Sequence, residues 1–296
     1  MAFDTDDAFP DKPFTLKSLY REVKDMLASR GSIDSPDLEA RRIIEQRTPF
    51  DIVTLVTSGE VAIAGDERER ALQDARDRLS GKPLSRVYGK REFWGLPFEL
   101  SSETLDPRPD TEILVERVLS AYSEKPPETI LDVGTGSGCI LISLLSELRE
   151  AQGLGIDLSF DATQTARKNA RQNQVESRSR FICGSWMESI DKKFDLIVSN
   201  PPYIANQIIS TLSREVKNHD PILALDGGED GLQAYLKIFS FLKPHLNRDG
   251  KAFFEIGFDQ RFDVMRLAED SGLHVCEVHA DLSGQPRVVE ICCGDK

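Results

Sequence analysis

The sequence is short of the residues that build metal and disulfide frameworks. Its five cysteines, Cys139, Cys183, Cys276, Cys292 and Cys293, form an odd set without a C-x-x-C pair, and its four histidines make no ligand spacing with them. That pattern argues against any metal site and reads as a reduced chain whose cysteines are small apolar residues of the interior. Basic charge is also scarce. Fifty acidic residues against 37 basic ones leave a net charge of −13, which disfavours a protein whose affinity rests on neutralising phosphates, although a local basic face can survive a negative total. No apolar run approaches the roughly 18 residues of a membrane span. Residues 1–11 have neither the positive nor the apolar region of a secretion signal or transit peptide, so the expected compartment is the cytoplasm.

What is present is a chain of 296 residues with 40% hydrophobic content, ample for a buried core. Residues 1–13 carry four aspartates and no apolar period and are expected to be a disordered tail. From Leu16 onward, apolar residues recur at helical spacing: Leu19, Tyr20, Val23, Met26 and Leu27, with Gly31 as the stop. Ser35-Pro36 opens a second helix. Residues 50–56 fit helix or strand, and a fourth, strongly charged segment begins at Asp66. Residues 14–86 therefore read as a small helical bundle. Residues 87–110 contain a strand-like stretch broken by Gly89, Gly95 and Pro97, which predicts a hairpin linking the two parts. Within the run Pro107-Arg108-Pro109-Asp110-Thr111-Glu112 the pattern predicts a helix over 111–122 with Asp110 as its N-cap.

Residues 111–296 alternate strand and helix, with strands expected at 129–133, 153–157, 179–183, 194–198 and 251–256. A last pair, 273–279 and 287–292, has no helix-sized gap and reads as an antiparallel terminal hairpin. The class is α/β: a doubly wound, mostly parallel sheet that binds its ligands at the carboxyl ends of the strands.

Two stretches there carry chemistry. The first strand runs into Gly134-Thr135-Gly136-Ser137-Gly138 and then an apolar helix. Glycines permit close backbone approach to a ligand, and a helix start offers unpaired N–H groups. Asp157, ending the second strand, is placed to accept both ribose hydroxyls of a nucleoside. The loop is G-x-G-x-G with an aspartate two residues ahead of it, and no later motif suits a pyrophosphate or nicotinamide. An acidic, phosphate-free nucleoside pocket fits S-adenosylmethionine, with Trp186 after the third strand positioned to pack on the adenine. The second stretch is Asn200-Pro201-Pro202-Tyr203, about sixty residues after the loop. Prolines stiffen the backbone and offer carbonyls without competing donors. The Asn200 side-chain oxygen and the Pro201 carbonyl can then grip both hydrogens of a planar –NH2 group while the Tyr203 ring packs on its face.

Taken together, the P-R-P-D-T-E run, the glycine loop, N-P-P-Y, Leu225-Asp226-Gly227-Gly228 and the ending Asp281-Leu282-Ser283-Gly284-Gln285-Pro286-Arg287 resemble the HemK-type protein-glutamine N5-methyltransferases over nearly the whole chain. The resemblance implies a seven-stranded S-adenosylmethionine-dependent methyltransferase sheet and an N-terminal helical domain that recognises substrate. It implies methyl transfer to the glutamine of the Gly-Gly-Gln motif in class 1 release factors, with S-adenosylhomocysteine as product. Asn200, Pro201 and Tyr203 would then be catalytic; Asn200, Pro201, Pro202 and Tyr203 would bind substrate. The donor would lie on Gly134, Thr135, Gly136, Ser137, Gly138, Asp157, Trp186 and Asn200. The partner would be a release factor, with no direct nucleic acid and no membrane. Two positions depart from the family: Ser185 stands where an acidic residue usually meets the adenine amino group, and Asp106 replaces an aliphatic residue, a change expected to be superficial. The alternatives are a ribosomal-protein glutamine methyltransferase, a nucleic-acid amino-methyltransferase and a donor-binding regulator without turnover.

Overall fold

A computed structural model describes residues 14–31 and 33–292; the acidic tail expected at 1–13 lies outside them. The chain divides between Val87 and Tyr88 into two compact units.

The first unit is helical, with helices Leu16–Ala28, Pro36–Arg47, Ile52–Ser58 and Gly65–Leu79. Thr15 and Ser18 cap the first helix reciprocally, satisfying donors that a helix start leaves open. The ambiguous segment at 50–56 is helix because Asp51 caps it, its carboxylate accepting from Thr54 N at 2.8 Å. Leu16, Leu19, Val23 and Leu27 face Ala40, Ile43, Ile44, Ala71 and Ala75, all buried. Charged residues at the seams are paired: Arg47 grips Asp74 with two hydrogen bonds of 2.6 and 2.8 Å.

The second unit opens with a two-stranded hairpin, β1 (Lys90–Phe93) and β2 (Leu96–Glu99), turning through Trp94 and Gly95. Both turn residues have positive φ, 53° and 66°, the geometry of a tight turn that matches strand twist. The seven-stranded sheet follows: β3 (Thr129–Val133), β4 (Gln152–Asp157), β5 (Ser179–Cys183), β6 (Phe194–Ser199), β7 (Leu246–Glu255), β8 (His274–Ala280) and β9 (Pro286–Cys292). Its order is β5-β4-β3-β6-β7-β9-β8, parallel except where β9 inserts antiparallel between β7 and β8. Central strands such as β6 are buried on both faces, as a helix-covered parallel sheet requires.

Several expectations need correction. The helix after P-R-P-D is Glu112–Ala121, preceded by a 3-10 turn at Pro109–Thr111, and Asp110 does not cap it. Asp110 instead meets the guanidinium of Arg287 at 3.3 Å, a charge-assisted contact. Asp106 is not superficial: it is buried and faces Arg91 at 3.7 Å. Nor are all the cysteines free. A register shift between Val275 and Glu277 takes Cys276 out of strand pairing, and Cys276 is joined to Cys292 in a disulfide, Cα to Cα 6.2 Å. Cys139 and Cys183 are free thiols, and Cys293 lies outside the described residues.

Candidate active site

The carboxyl ends of β3, β4, β5 and β6 open into one pocket lined by residues from 103 to 226. At the end of β3 the chain turns through Gly134, Gly136 and Gly138, with φ of 75°, 55° and 81°, values that cost L side chains dearly. Gly134 and Gly136 line the pocket, and a Cβ added to either would meet nothing within 4 Å. Bare backbone therefore faces open space, which is what a close-lying ligand needs. Gly138 does different work: its Cβ would stand 2.8 Å from Ile142 Cδ1 and 3.1 Å from Ala166 Cβ, so it lets the helix Cys139–Glu147 pack closely and does not line the pocket. The loop is pinned to β4 by Gly134 N and Thr135 N, both donating to Ile156 O at 2.8 and 3.0 Å.

Asp157 closes this arrangement. Its two carboxylate oxygens accept from Gly136 N at 2.8 Å and Ser159 N at 2.9 Å, which aims the group and leaves lone pairs for ligand hydroxyls. Burial raises its pKa, while the N–H donors of Ser159 and Gly136 oppose the rise. Behind the loop, Asp132 is fully buried and accepts from Thr135 Oγ1 at 2.7 Å. Burial pushes it up to about 7, the Thr135 hydroxyl holding it down and the charge of Asp157 adding to the rise. Its role is to shape the loop from beneath. Gly184, Ser185 and Trp186 line the β5 side of the pocket, with Trp186 at a φ of 48°. A bulky residue at positive φ is a strained placement, held by its surroundings.

Asn200 and Pro202 line the same pocket from the end of β6, whereas Pro201 and Tyr203 are not among its lining residues. The Asn200 Nδ2 donates to Thr111 Oγ1 at 3.2 Å. Tyr203 sends its hydroxyl inward to Glu255 Oε1 at 3.4 Å, and Gln260 Nε2 donates to its backbone carbonyl at 3.0 Å. Burial raises the Tyr203 phenol well beyond the usual range, with the Glu255 carboxylate adding to the effect. Glu255 ends β7 and is 1% exposed. Burial pushes its carboxyl up to about 7; the Thr111 hydroxyl, the Arg287 guanidinium and Tyr203 pull it down. Among the described residues, no lysine or histidine lines the pocket. The arrangement suits holding and orienting a planar polar group.

Residue-by-residue reading of the sequence missed four contributors: Thr111, Glu255, and Pro107 and Arg108, which line the pocket with Thr111. The P-R-P-D-T-E run was the available signal for three of them. Glu255 had none, since it stands in an apolar strand far from either motif.

Comparison with known proteins respects the same division. The methyltransferase small domain family model matches residues 92–227, and the PrmC N-terminal domain model matches residues 18–89. A release factor glutamine methyltransferase of Agrobacterium fabrum is 43% identical over 263 residues, covering 88% of this chain and 91% of the relative. One of Bradyrhizobium diazoefficiens is 40% identical over 284 residues, covering 94% and 95%. Among solved structures, a methyltransferase from Pyrococcus furiosus aligns with a TM-score of 0.53 at 17% identity, over 75% of this chain and 99% of that one, a likeness of fold.

Proposed function

Because this chain belongs to the release factor glutamine methyltransferases, we propose a division of labour among its residues for the reaction of that family. The chain is an S-adenosylmethionine-dependent methyltransferase acting on a glutamine of a release factor. The finer reading is that the acceptor is the side-chain N5 of the glutamine in the Gly-Gly-Gln motif of class 1 release factors, and that the reaction takes place in the cytoplasm. No helix among the described residues is long and apolar enough to cross a membrane. The net charge of −13 speaks against a nucleic-acid acceptor.

The single observation that carries this reading is that N-P-P-Y and the glycine loop leave adjacent parallel strands, β6 and β3, and reach one pocket. S-adenosylmethionine, when bound, supplies an electrophilic methyl group on a positive sulfur. The open backbone at Gly134 and Gly136 and the aimed carboxylate of Asp157 fit its nucleoside and amino-acid parts, with Thr135, Ser137 and Gly138 completing the loop. Trp186, beside Ser185 in the pocket lining, would pack on the base.

At the acceptor end the difficulty is that an amide nitrogen lends its electron pair to its carbonyl. Asn200 Oδ1 and the Pro201 carbonyl accept the two amide hydrogens, which favours a pyramidal nitrogen and aims its lone pair along one line. Those hydrogen bonds strengthen as the nitrogen gains positive charge, so they act mostly in the transition state. Pro202 keeps the turn rigid, and Tyr203, anchored through its hydroxyl to Glu255, would offer its ring to the amide plane once substrate is seated. The methylated nitrogen is acidic and loses its proton to water, so no dedicated base is required.

Peptide mass spectrometry of a class 1 release factor incubated with the protein and S-adenosylmethionine tests this. One added methyl on the Gly-Gly-Gln glutamine is the expected result. Label from tritiated donor appearing in RNA, DNA or a ribosomal protein, and none in the release factor, would replace this substrate with another. In Asn200→Ala, kcat should fall by roughly a hundredfold or more, the scale of losing a transition-state hydrogen-bond partner, while the calorimetric donor Kd changes little.

A further inference from the structure

The carboxamide of Asn200 has two chemically opposite ends, and only one can serve a substrate amide. Presented oxygen-first it accepts an N–H; turned by 180° it presents a second pair of donors to a group that already offers donors. In the structure the nitrogen end is occupied: Nδ2 donates to Thr111 Oγ1 at 3.2 Å. A hydroxyl can accept from Asn200 only while its own proton is committed elsewhere. Thr111 is 2% exposed, so water does not take that proton. Within the same buried cluster the Glu255 carboxyl has an Oε2 that is buried and makes no hydrogen bond, an unfilled acceptor for that proton. Glu255 Oε1 accepts from the Tyr203 hydroxyl at 3.4 Å, so one carboxyl lies behind both ends of N-P-P-Y.

The charge of Glu255 is balanced from β9. Arg287 approaches it and is itself held by Asp281 at 3.1 Å and Asp110 at 3.3 Å. The last strand of the sheet, the P-R-P-D-T-E run and N-P-P-Y thus converge on one buried acid. None of these groups besides N-P-P-Y has a role in the chemistry described above.

We propose that Thr111 and Glu255 are positioning residues: Glu255 accepts the Thr111 proton, Thr111 thereby accepts from Asn200, and the Asn200 oxygen is left facing the glutamine amide while Tyr203 is tied in place. The direction of donation runs from Asn200 through Thr111 to Glu255 and from Tyr203 to Glu255. No proton leaves the relay and no bond to substrate is made by either positioning residue. The proposal rests on the glutamine-methylation reading and deepens it.

The test uses the full-length protein, tritiated S-adenosylmethionine and a class 1 release factor, with calorimetry for donor binding. Thr111→Val keeps the shape and removes the hydroxyl. It should lower kcat by about ten- to a hundredfold, with donor Kd and release-factor KM within about threefold. Thr111→Ser, which keeps the hydroxyl, should restore kcat to within about threefold of the parent. Glu255→Gln places an –NH2 donor beside Thr111, reverses the direction of the relay and should lower kcat by a similar factor. Parental kcat in both Thr111→Val and Glu255→Gln would overturn the proposal. So would a loss that Thr111→Ser shares fully, because a hydroxyl relay cannot fail when the hydroxyl is present. If the parent methylates the release factor and Asn200→Ala does not, while Thr111→Val is normal, the relay alone falls. If the parent itself leaves the release factor unlabelled, the underlying functional reading falls with it.

Discussion

Asp132 and Glu255 are carboxyl groups in places where water does not reach, and each carries a consequence for stability. Burial lifts both to about 7, from the ordinary carboxylate range of about 4. For an acid whose folded pKa is raised, the favourable contribution is fully present below the unfolded pKa and is lost as pH rises through the folded one. Between about pH 4 and pH 7 these two groups therefore turn progressively against the folded state, each by on the order of 3 kcal/mol once fully ionised. Urea unfolding without donor, at pH 5 and pH 8, should show a smaller loss of stability with rising pH in Glu255→Gln than in the parent. A second residue-scale prediction concerns Asp157. Removing a carboxylate that binds a charged or hydroxylated ligand costs about 1.5–3 kcal/mol. Calorimetry on Asp157→Ala should show donor Kd raised by about ten- to a hundredfold.

At the scale of elements, the turns are better written in the sequence than the strand ends. Gly95 and the three loop glycines each announce a backbone that few residues adopt, and each takes it; the positive φ of Trp94 carried no such signal. The start of β7 was hidden: it begins at Leu246, five residues before the apolar run at Lys251, because its pairing with β6 slips between Phe194 and Leu196. A bulge absorbs the polar residues of Asn247-Arg248-Asp249-Gly250, and hydrophobic alternation carries no trace of it. Capping was misjudged at Asp110 for a related reason: its competing partner, Arg287, lies at the far end of the chain. The glycine loop also yields a prediction about element packing. Gly138→Ala combines a φ of 81° with a Cβ 2.8 Å from Ile142 Cδ1. It should lower stability by roughly 2 kcal/mol or more and weaken donor binding, seen as a lower Tm and a smaller Tm shift on adding S-adenosylmethionine.

For the whole molecule, what could be read in advance was the class of the sheet, the helical unit ahead of it and the two local motifs. What could not be read was the support behind them. Thr111 meets Asn200 across 89 positions of sequence, and Tyr203 meets Glu255 across 52; only the folded sheet makes those pairs neighbours. The two units also predict a separation of effects. Every residue lining the donor pocket lies between 103 and 226, whereas Ile43 is fully buried in the helical unit. Ile43→Ala should destabilise that unit by about 2–5 kcal/mol in chemical unfolding and leave the donor Kd unchanged.

The adjacency of β3 and β6 has one more consequence. The glycine loop and the N-P-P-Y turn are carried by neighbouring parallel strands, and neighbouring strands stand about 4.8 Å apart whatever their side chains. The main-chain hydrogen bonds between β3 and β6 thus fix how far apart the roots of the two loops stand, a spacing that exchanging a side chain in either loop does not reset. The turn leaving β6 can be rewritten to hold a different planar amine while its root keeps its place beside the glycine loop.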